Sequence, residues 1–182
     1  MRITPVATAR LLLHPLTVGE AERIVAGEPA DGDRWGAGYP ADGDVAGARG
    51  FLRVWGESGD PGVFGAYELR LLDTGVAVGG IGFHGPPDEI GVVTVGYGVV
   101  PAVRGQGYAA EALRALVEIA RRAGVAGVKG DADLGNVGSH RVMEAAGMVC
   151  VAEDARLRHF YRGFQEASCR SGRAHGDRRG TF

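Results

Sequence analysis

One stretch of the chain determines its architecture: Val99-Val100-Pro101-Ala102-Val103-Arg104-Gly105-Gln106-Gly107-Tyr108-Ala109-Ala110-Glu111. An apolar, β-branched run ends here at a proline, and an arginine and two glycines then lead into a segment with helical spacing. This order predicts a strand, a tight turn and a helix. The first backbone N–H groups of a helix have no intrahelical partners, and the helix dipole is positive at that end. The stretch therefore predicts a site for a diphosphate or a similar anion.

The part of the chain before this turn is predicted to contain two helices and four strands. An apolar run over residues 10–16 predicts the first strand, and Thr17 with Glu20 three residues later has the spacing of a helix capping box. A second helix is predicted over residues 44–55. Three apolar runs separated by short turns then predict an antiparallel meander, over residues 63–72, 76–84 and 92–100.

The part after the turn alternates between helical and extended patterns. Apolar residues at helical spacing predict a helix that ends at Gly124, followed by a strand over residues 125–132. Asn136 is placed to cap another helix, which runs to about Ala146. Two last strands are predicted, over residues 148–152 and 157–164.

Length and composition indicate a single domain over residues 1–164. The chain has 182 residues and a formal net charge of -2, so charge does not favour nucleic acid or a membrane surface as a partner. The Arg-rich segment 165–182 has almost no apolar residues and is expected to be a flexible tail. No signal peptide and no apolar run of roughly 18 residues is evident, so a cytoplasmic protein is expected.

The cysteines and histidines show no spacing that is typical of a metal site. The expected state of Cys150 is a buried apolar residue, and that of Cys169 is a free thiol in the tail. We therefore expect no bound metal.

Two interpretations of the central turn are open. Gly105 to Ala110 matches the G-x-G-x-x-A form of a dinucleotide fingerprint, and Asp131 follows where a ribose-binding acid belongs. Against this interpretation, residues 101–104 separate the strand from the first glycine, and the preceding strands are predicted to be antiparallel. The alternative is the pattern Arg104-x-x-Gly107-x-Ala109.

This second pattern resembles the acyl-CoA-binding motif of the GNAT family of N-acetyltransferases. The resemblance covers about residues 10–164, and the segment from Asn136 to Met148 is similar to the second cofactor segment of the family. It is greatest to the ribosomal-protein N-terminal acetyltransferase (RimJ/RimL-like) branch. It implies an α/β (α+β) fold, with a mixed, mostly antiparallel sheet of about seven strands and about four helices.

The resemblance also implies acetyl-CoA as the donor and a primary amine as the acceptor. The acceptor would be a small molecule or a protein N-terminus, and the protein a monomer or a homodimer. Two groups of residues are expected to bind the donor: strand and turn residues, and residues of the second cofactor segment. They are Val99, Val100, Arg104, Gly105, Gln106, Gly107, Tyr108 and Ala109, with Asn136 and Ser139.

The chain departs from the family at two catalytic positions. Met143 stands where many members have the tyrosine that protonates the departing thiolate, and the resemblance makes Ser139 the candidate acid instead. Thr94 stands where relatives often have a basic glutamate. His84 and Glu89 are candidate bases, as is Asp88, but an amine of low pKa needs no base.

The sequence leaves two questions open: whether the protein is catalytic, and what the aromatic residues of the first loop contact. The missing Tyr and Glu favour a non-catalytic module that binds acyl-CoA, as a rival to an acetyltransferase that works by direct attack of the amine on the thioester. In addition, the aromatic residues Trp35 and Tyr39 lie in a Gly-rich loop that either contacts the acceptor or only holds the loop to the core.

Overall fold

Eight strands form one sheet, in the order β1-β2-β3-β4-β5-β6-β8-β7, in a computed structural model that describes residues 3–164. The strands are β1 (Val6–Ala7), β2 (Leu11–Pro15), β3 (Ala66–Leu71), β4 (Ala77–Phe83), β5 (Val92–Val99), β6 (Gly127–Asp133), β7 (Val149–Glu153) and β8 (Leu157–Gly163). The helices are α1 (Val18–Ala26), α2 (Asp42–Ser58), α3 (Tyr108–Arg122) and α4 (Val137–Ala145). The predicted tail, residues 165–182 with Cys169, lies outside the described residues.

Antiparallel pairing dominates the sheet, and β5 and β6 form its one parallel pair among residues 3–164. The predicted mixed, mostly antiparallel sheet is therefore confirmed, as is the meander of β3, β4 and β5. The doubly wound parallel sheet that a dinucleotide fingerprint requires is absent from this part of the chain, so that interpretation of the turn is wrong. The sheet has one strand more than predicted, because the two residues of β1 are too few to show an alternating pattern.

The predicted capping box of α1 is confirmed, whereas the predicted end of α2 is wrong. The Thr17 hydroxyl accepts a hydrogen bond from the Glu20 N–H, and the Glu20 carboxylate accepts one from the Thr17 N–H, so the capping box is formed. The helix α2 continues through Gly56 to Ser58 instead of ending at Trp55. A single glycine in a helix costs only about 1 kcal/mol, and tertiary packing compensates for that cost.

Helices cover both faces of the sheet. The buried face of α3 consists of Ala112, Leu113, Leu116, Val117 and Ala120, each at most 2% exposed. On one face of the sheet α2 lies over Gly80, because the Asp44 carboxylate is 2.9 Å from the position that a Cβ on Gly80 would take. On the other face the sulfur of Met143 in α4 lies 3.3 Å from the corresponding position on Gly130.

The prediction of a buried Cys150 is wrong. It lies on β7 at the edge of the sheet, and all five residues of this strand are exposed, including Val149 and Val151. The apolar run predicts a buried strand, but β7 lies at the edge of the sheet and its side chains remain in solvent.

The described part of the chain contains neither a membrane-spanning helix nor a cluster of metal ligands. None of its helices has the length and apolar character needed to cross a membrane. Within the same residues, no three His, Cys, Asp or Glu side chains come together in a way that could hold a metal ion.

Candidate active site

The central feature of the site is a gap between two neighbouring strands. β5 and β6 pair only through Val92 with Gly127, Val93 with Val128, and Thr94 with Lys129. Beyond these pairs the two strands diverge, although β5 continues pairing with β4 as far as Val99. The edge of β5 from residue 95 to residue 99 therefore has no neighbouring strand on the β6 side.

Hydrogen bonds on the other side show which backbone groups face the gap. The His84 N–H donates to the Thr94 carbonyl, and the Val100 N–H donates to the Val78 carbonyl. Because backbone groups alternate in direction along an antiparallel strand, those of Tyr97 and Val99 point away from β4 and into the gap. The Val99 N–H thus faces the gap, whereas the Val100 N–H is already used.

At the open end of the gap lies the glycine turn. A single 3₁₀ turn over Pro101–Val103 follows β5, and Gly105 and Gly107 have φ angles of 76° and 82°. L-residues other than glycine rarely adopt this left-handed conformation. Gly107 is the N-cap of α3 and supplies no capping side chain. The first N–H groups of α3 are therefore free of a side-chain cap and point toward an anion site.

A cavity of about 730 Å³ joins the gap, the turn and the start of α4; we call it the donor cavity. Eight of the ten predicted donor-binding residues line it: Val99, Arg104, Gly105, Gly107, Tyr108, Ala109, Asn136 and Ser139. The structure thus brings together two segments that the sequence placed about 30 residues apart. Val100 and Gln106 do not line it.

The side chains of the turn are partly engaged with the protein itself. The Nε of Arg104 donates to the Val99 carbonyl at 3.2 Å, so this exposed side chain lies along the rim of the donor cavity. The amide of Gln106 points back toward the Ala102 carbonyl, 3.5 Å away. Only the backbone of Gln106 is therefore placed to contact a donor.

Arg10 is a residue of this site that the sequence reasoning missed. Its guanidinium donates to the Gln106 carbonyl at 2.9 Å and lies 4.4 Å from the centre of the Tyr108 ring. Arg10 is distant from the turn in sequence, and no local pattern connects the two. Its contacts join the turn to the chain just before β2.

The start of α4 presents Ser139 to the donor cavity. The Asn136 side chain caps the helix by accepting the Ser139 N–H at 3.1 Å. The Tyr97 hydroxyl donates to the Ser139 carbonyl at 3.0 Å and so ties α4 to β5 across the gap; burial raises the pKa of this phenol. Met143 lies further along α4, 1% exposed in the core, and has no proton to donate.

On the opposite face of the sheet lies a second cavity of about 420 Å³, which we call the acceptor cavity. Its floor is formed by four glycines, Gly80 and Gly82 on β4 and Gly96 and Gly98 on β5. Because glycine has no side chain, α2 and the strands enclose an open space there. Tyr97 and Gly98 line both cavities, so the two meet at this point of β5.

The candidate bases lie at different distances from this junction. His84 lines the acceptor cavity, and its Nε2 is 2.7 Å from the position of a Cβ on Gly96. Glu89 lies in the turn between β4 and β5 and lines neither cavity. Asp88 accepts hydrogen bonds from Lys129 and the Val92 N–H, and the bond from Lys129 lowers the pKa of its carboxyl.

The two loop aromatics have different surroundings. Trp35 forms a parallel bridge with Ala77, is half-buried and lines neither cavity, so it holds the loop to β4. Tyr39 packs edge-on against Trp35 at 5.7 Å and lines the acceptor cavity. Its burial raises the pKa of the phenol, as do the nearby carboxylates of Glu68 and Asp44.

Asp44 is the second site residue that the sequence reasoning missed. It lines the acceptor cavity, is only 9% exposed, and its Oδ2 accepts the Ala41 N–H at 2.8 Å. Burial raises the pKa of this carboxyl to about 6. In the sequence it marks only the beginning of a helix, since an acid in the first helical turn is common.

Comparison with known proteins points to one family. A family model described as an acetyltransferase (GNAT) domain matches residues 10–149. The protein described as "Uncharacterized N-acetyltransferase YjdG" of Bacillus subtilis is 32% identical over 98 residues, which are 53% of this chain and 58% of that protein. The match therefore spans little more than half the length of that relative.

Solved structures agree on the fold. An acetyltransferase from Agrobacterium tumefaciens superposes with a TM-score of 0.64 at 24% identity, over 90% of this chain and 96% of that one. The microcin C7 self-immunity acetyltransferase MccE, solved in complex with acetyl-CoA and AMP, gives 0.60 at 12% identity, over 86% and 94%. With the family model covering more than half of its residues, the chain belongs to the GNAT acetyltransferase family.

Proposed function

We propose that this protein transfers an acetyl group from acetyl-CoA to a primary amine. The observation that carries the proposal is the gap between β5 and β6, which opens at the same end as the Gly105–Gly107 turn. One ligand with an anionic part and a long polar arm fits both features together. Acetyl-CoA has this shape, with a diphosphate next to the pantetheine arm.

The turn fits the diphosphate. A Cβ at Gly105 or Gly107 would strain the backbone, and it would also hold phosphate oxygens away from the N–H groups. The uncapped start of α3 supplies donors and the positive end of the helix dipole. Arg104 at the rim adds a positive charge.

The gap fits the pantetheine arm, which carries amide groups. Backbone groups of Tyr97 and Val99 are free of a neighbouring strand, so the arm can pair with β5 as an additional strand would. The donor that polarises the thioester carbonyl is then a backbone N–H on this edge. Val99 is the better candidate of the two predicted, since the Val100 N–H donates to Val78.

Transfer occurs by direct attack at the junction of the two cavities. The amine enters from the acceptor cavity and meets the thioester near Tyr97 and Gly98, which line both. Orientation of the two reactants and polarisation of the carbonyl supply much of the catalysis. Ser139 lines the donor cavity and is the candidate acid for the departing thiolate.

The acceptor is a small amine or a protein N-terminus. The rival function, a non-catalytic module that binds acyl-CoA, is favoured by the burial of Met143 in the core and by Thr94 in place of a carboxylate. Both functions use the same donor cavity, so they differ only in turnover.

A thiol-release assay separates them. Acetyl-CoA binding is measured by calorimetry, and thiol release is followed with alkylamines, aromatic amines and N-terminal peptides. Release with any of these acceptors, together with the acetylated product by mass spectrometry, supports the transferase. Tight binding without release on every acceptor supports the module, and absence of acetyl-CoA binding contradicts both.

A further inference from the structure

The acceptor cavity has a buried carboxylate in its wall. Asp44 is only 9% exposed, and its Oδ1 is 2.9 Å from the position that a Cβ on Gly80 would take. A side chain of any other residue at position 80 would occupy this place, so the carboxylate lies directly over the glycine floor. A buried acid in a cavity needs a partner of opposite charge or a proton.

The position of Asp44 relates it to the reaction. Gly80 and Gly98 are register partners on β4 and β5. Neighbouring strands lie about 5 Å apart, so the Asp44 carboxylate is roughly one strand spacing from Gly98. Gly98 lines both cavities, and the amine must approach the thioester there.

The remainder of the acceptor cavity is mainly apolar. Apolar side chains that follow β2 or lie on α1 and α2 line it: Leu16, Ile24 and Phe51. Its volume of about 420 Å³ lies in the usual range of small-molecule sites and leaves room for more than one aromatic ring. A ligand with a cationic end and an apolar body complements both the acid and these walls.

We propose that Asp44 binds the ammonium group of the acceptor and takes its proton, and that the acceptor is a primary alkylamine with an apolar body. This inference rests on the proposed acetyl transfer and names the acceptor class and the base for it. The sequence had placed the candidate base at the end of β4 or in the following turn instead.

The Asp44 carboxylate accepts one proton from the alkylammonium, which becomes a neutral amine with a free electron pair. That pair forms the C–N bond at the thioester carbonyl carbon, and collapse of the tetrahedral intermediate breaks the C–S bond. The second proton lost from nitrogen goes to the thiolate, directly or through Ser139, and Asp44 releases its proton to solvent.

The charges around Asp44 suit this role near neutral pH. Burial raises the pKa of Asp44 to about 6, and the Glu68 carboxylate adds to the rise, so the base form predominates above that pH. Alkylammonium groups are still protonated there, because their pKa is near that of a lysine at about 10. The other titratable or charged groups around the cavity are Tyr67 and Arg70 on β3, Tyr39 in the loop, Arg53 on α2, His84 after β4, Tyr97 on β5, and His14, Glu20 and Arg23 from β2 and α1.

The test compares Asp44→Asn with Asp42→Asn, which removes an exposed carboxylate two residues earlier on the same helix. The acceptors are 2-phenylethylamine, an alkylammonium at pH 7.5, and aniline, which is neutral at that pH. Binding of 2-phenylethylamine is also measured by calorimetry without acetyl-CoA, and acetyl-CoA binding is measured for every variant. Circular dichroism and urea unfolding confirm that each variant is folded.

We expect Asp44→Asn to lower kcat/KM for 2-phenylethylamine by at least about tenfold and to lose the limb of the pH profile near 6. For aniline, the kcat/KM values of Asp44→Asn and wild type should agree within about threefold, since no proton has to be taken from this amine before attack. Asp42→Asn should behave as wild type. Acetyl-CoA affinity should not change in either variant.

Three results would overturn the proposal. In the first, Asp44→Asn acetylates 2-phenylethylamine with the kcat/KM of wild type. In the second, Asp44→Asn loses the same factor in kcat/KM on both amines. In the third, the wild-type protein does not bind 2-phenylethylamine with or without acetyl-CoA. Absence of acetyl-CoA binding in the wild type is a separate failure, that of the proposed function. The calorimetric measurement of 2-phenylethylamine binding gives a result in that case as well, because it requires no acetyl-CoA.

Discussion

The guanidinium of Arg10 pairs with the carboxylate of Glu111, 101 residues away, through its Nε at 2.8 Å and an Nη at 2.7 Å. Glu111 lies in the first turn of α3, immediately after the glycine turn, and also accepts hydrogen bonds from the Thr8 hydroxyl and the Arg10 N–H. Burial alone would raise its pKa, but these hydrogen bonds outweigh burial and lower it. A carboxylate thus lies beside a site for an anion, and Arg10 offsets its charge.

Replacing Arg10 should weaken donor binding. In Arg10→Ala the Glu111 carboxylate is left without its ion pair next to the diphosphate site, and we expect acetyl-CoA to bind roughly threefold to tenfold more weakly. Calorimetry at low salt measures the loss, which should shrink in 1 M salt because charges in solvent are screened there. The double variant Arg10→Ala/Glu111→Gln should recover most of the affinity; without recovery, Arg10 acts by another route.

Gly107→Trp should abolish acetyl-CoA binding while the protein remains folded. The indole would occupy the place of the diphosphate, and the left-handed φ of 82° adds about 1–2 kcal/mol of backbone strain. Gly124→Trp is the matched control, since Gly124 has a φ of 80° and nothing within 4 Å of its Cβ position at the far end of α3. Both variants should lose similar stability, and binding as strong as wild type in Gly107→Trp would exclude the turn as the donor site.

Ser139→Ala should lower turnover more than binding. If the hydroxyl protonates the thiolate, we expect kcat to fall roughly tenfold while acetyl-CoA affinity changes by less than about twofold. The backbone contacts of Ser139 to Asn136 and Tyr97 do not involve the hydroxyl and should survive. An equal fall in turnover and affinity would mean that Ser139 only positions the donor.

Asp44 should also leave a pH signature in stability. Its pKa is raised from 3.8 to about 6 in the folded protein, so ionisation costs the folded state more than the unfolded chain. The stability linked to its protonated form is present below pH 4 and is lost as the pH rises through about 6. The unfolding free energy of wild type relative to Asp44→Asn should therefore fall by about 2 kcal/mol between pH 4 and pH 7. Urea titrations at both pH values measure this difference, and a value that does not change with pH would show that Asp44 titrates normally.

Local patterns explain which parts of the fold could be predicted from the sequence. The capping box of α1, the Asn136 cap of α4 and the glycine turn each depend on residues within a few positions of one another. Eight of the ten residues that were predicted around the motif Arg104-x-x-Gly107-x-Ala109 line one cavity. The alternating runs of the meander likewise identified three neighbouring strands.

The parts that escaped prediction depend on contacts between distant segments. The contact of Arg10 with Gln106 and the burial of Asp44 over Gly80 are both set by tertiary packing. The exposure of Cys150 follows from the position of β7 at the sheet edge, which strand periodicity does not reveal.

A single substitution in the glycine floor could change which groups fit the acceptor cavity. A Cβ on Gly80, Gly82 or Gly96 would come within 3 Å of other atoms, whereas one on Gly98 would meet nothing within 4 Å. A single mutation to alanine at position 98 would therefore shrink the cavity without displacing the sheet. An added methyl group at this position would change the size of the group that fits where the two cavities meet, while the fold stays unchanged.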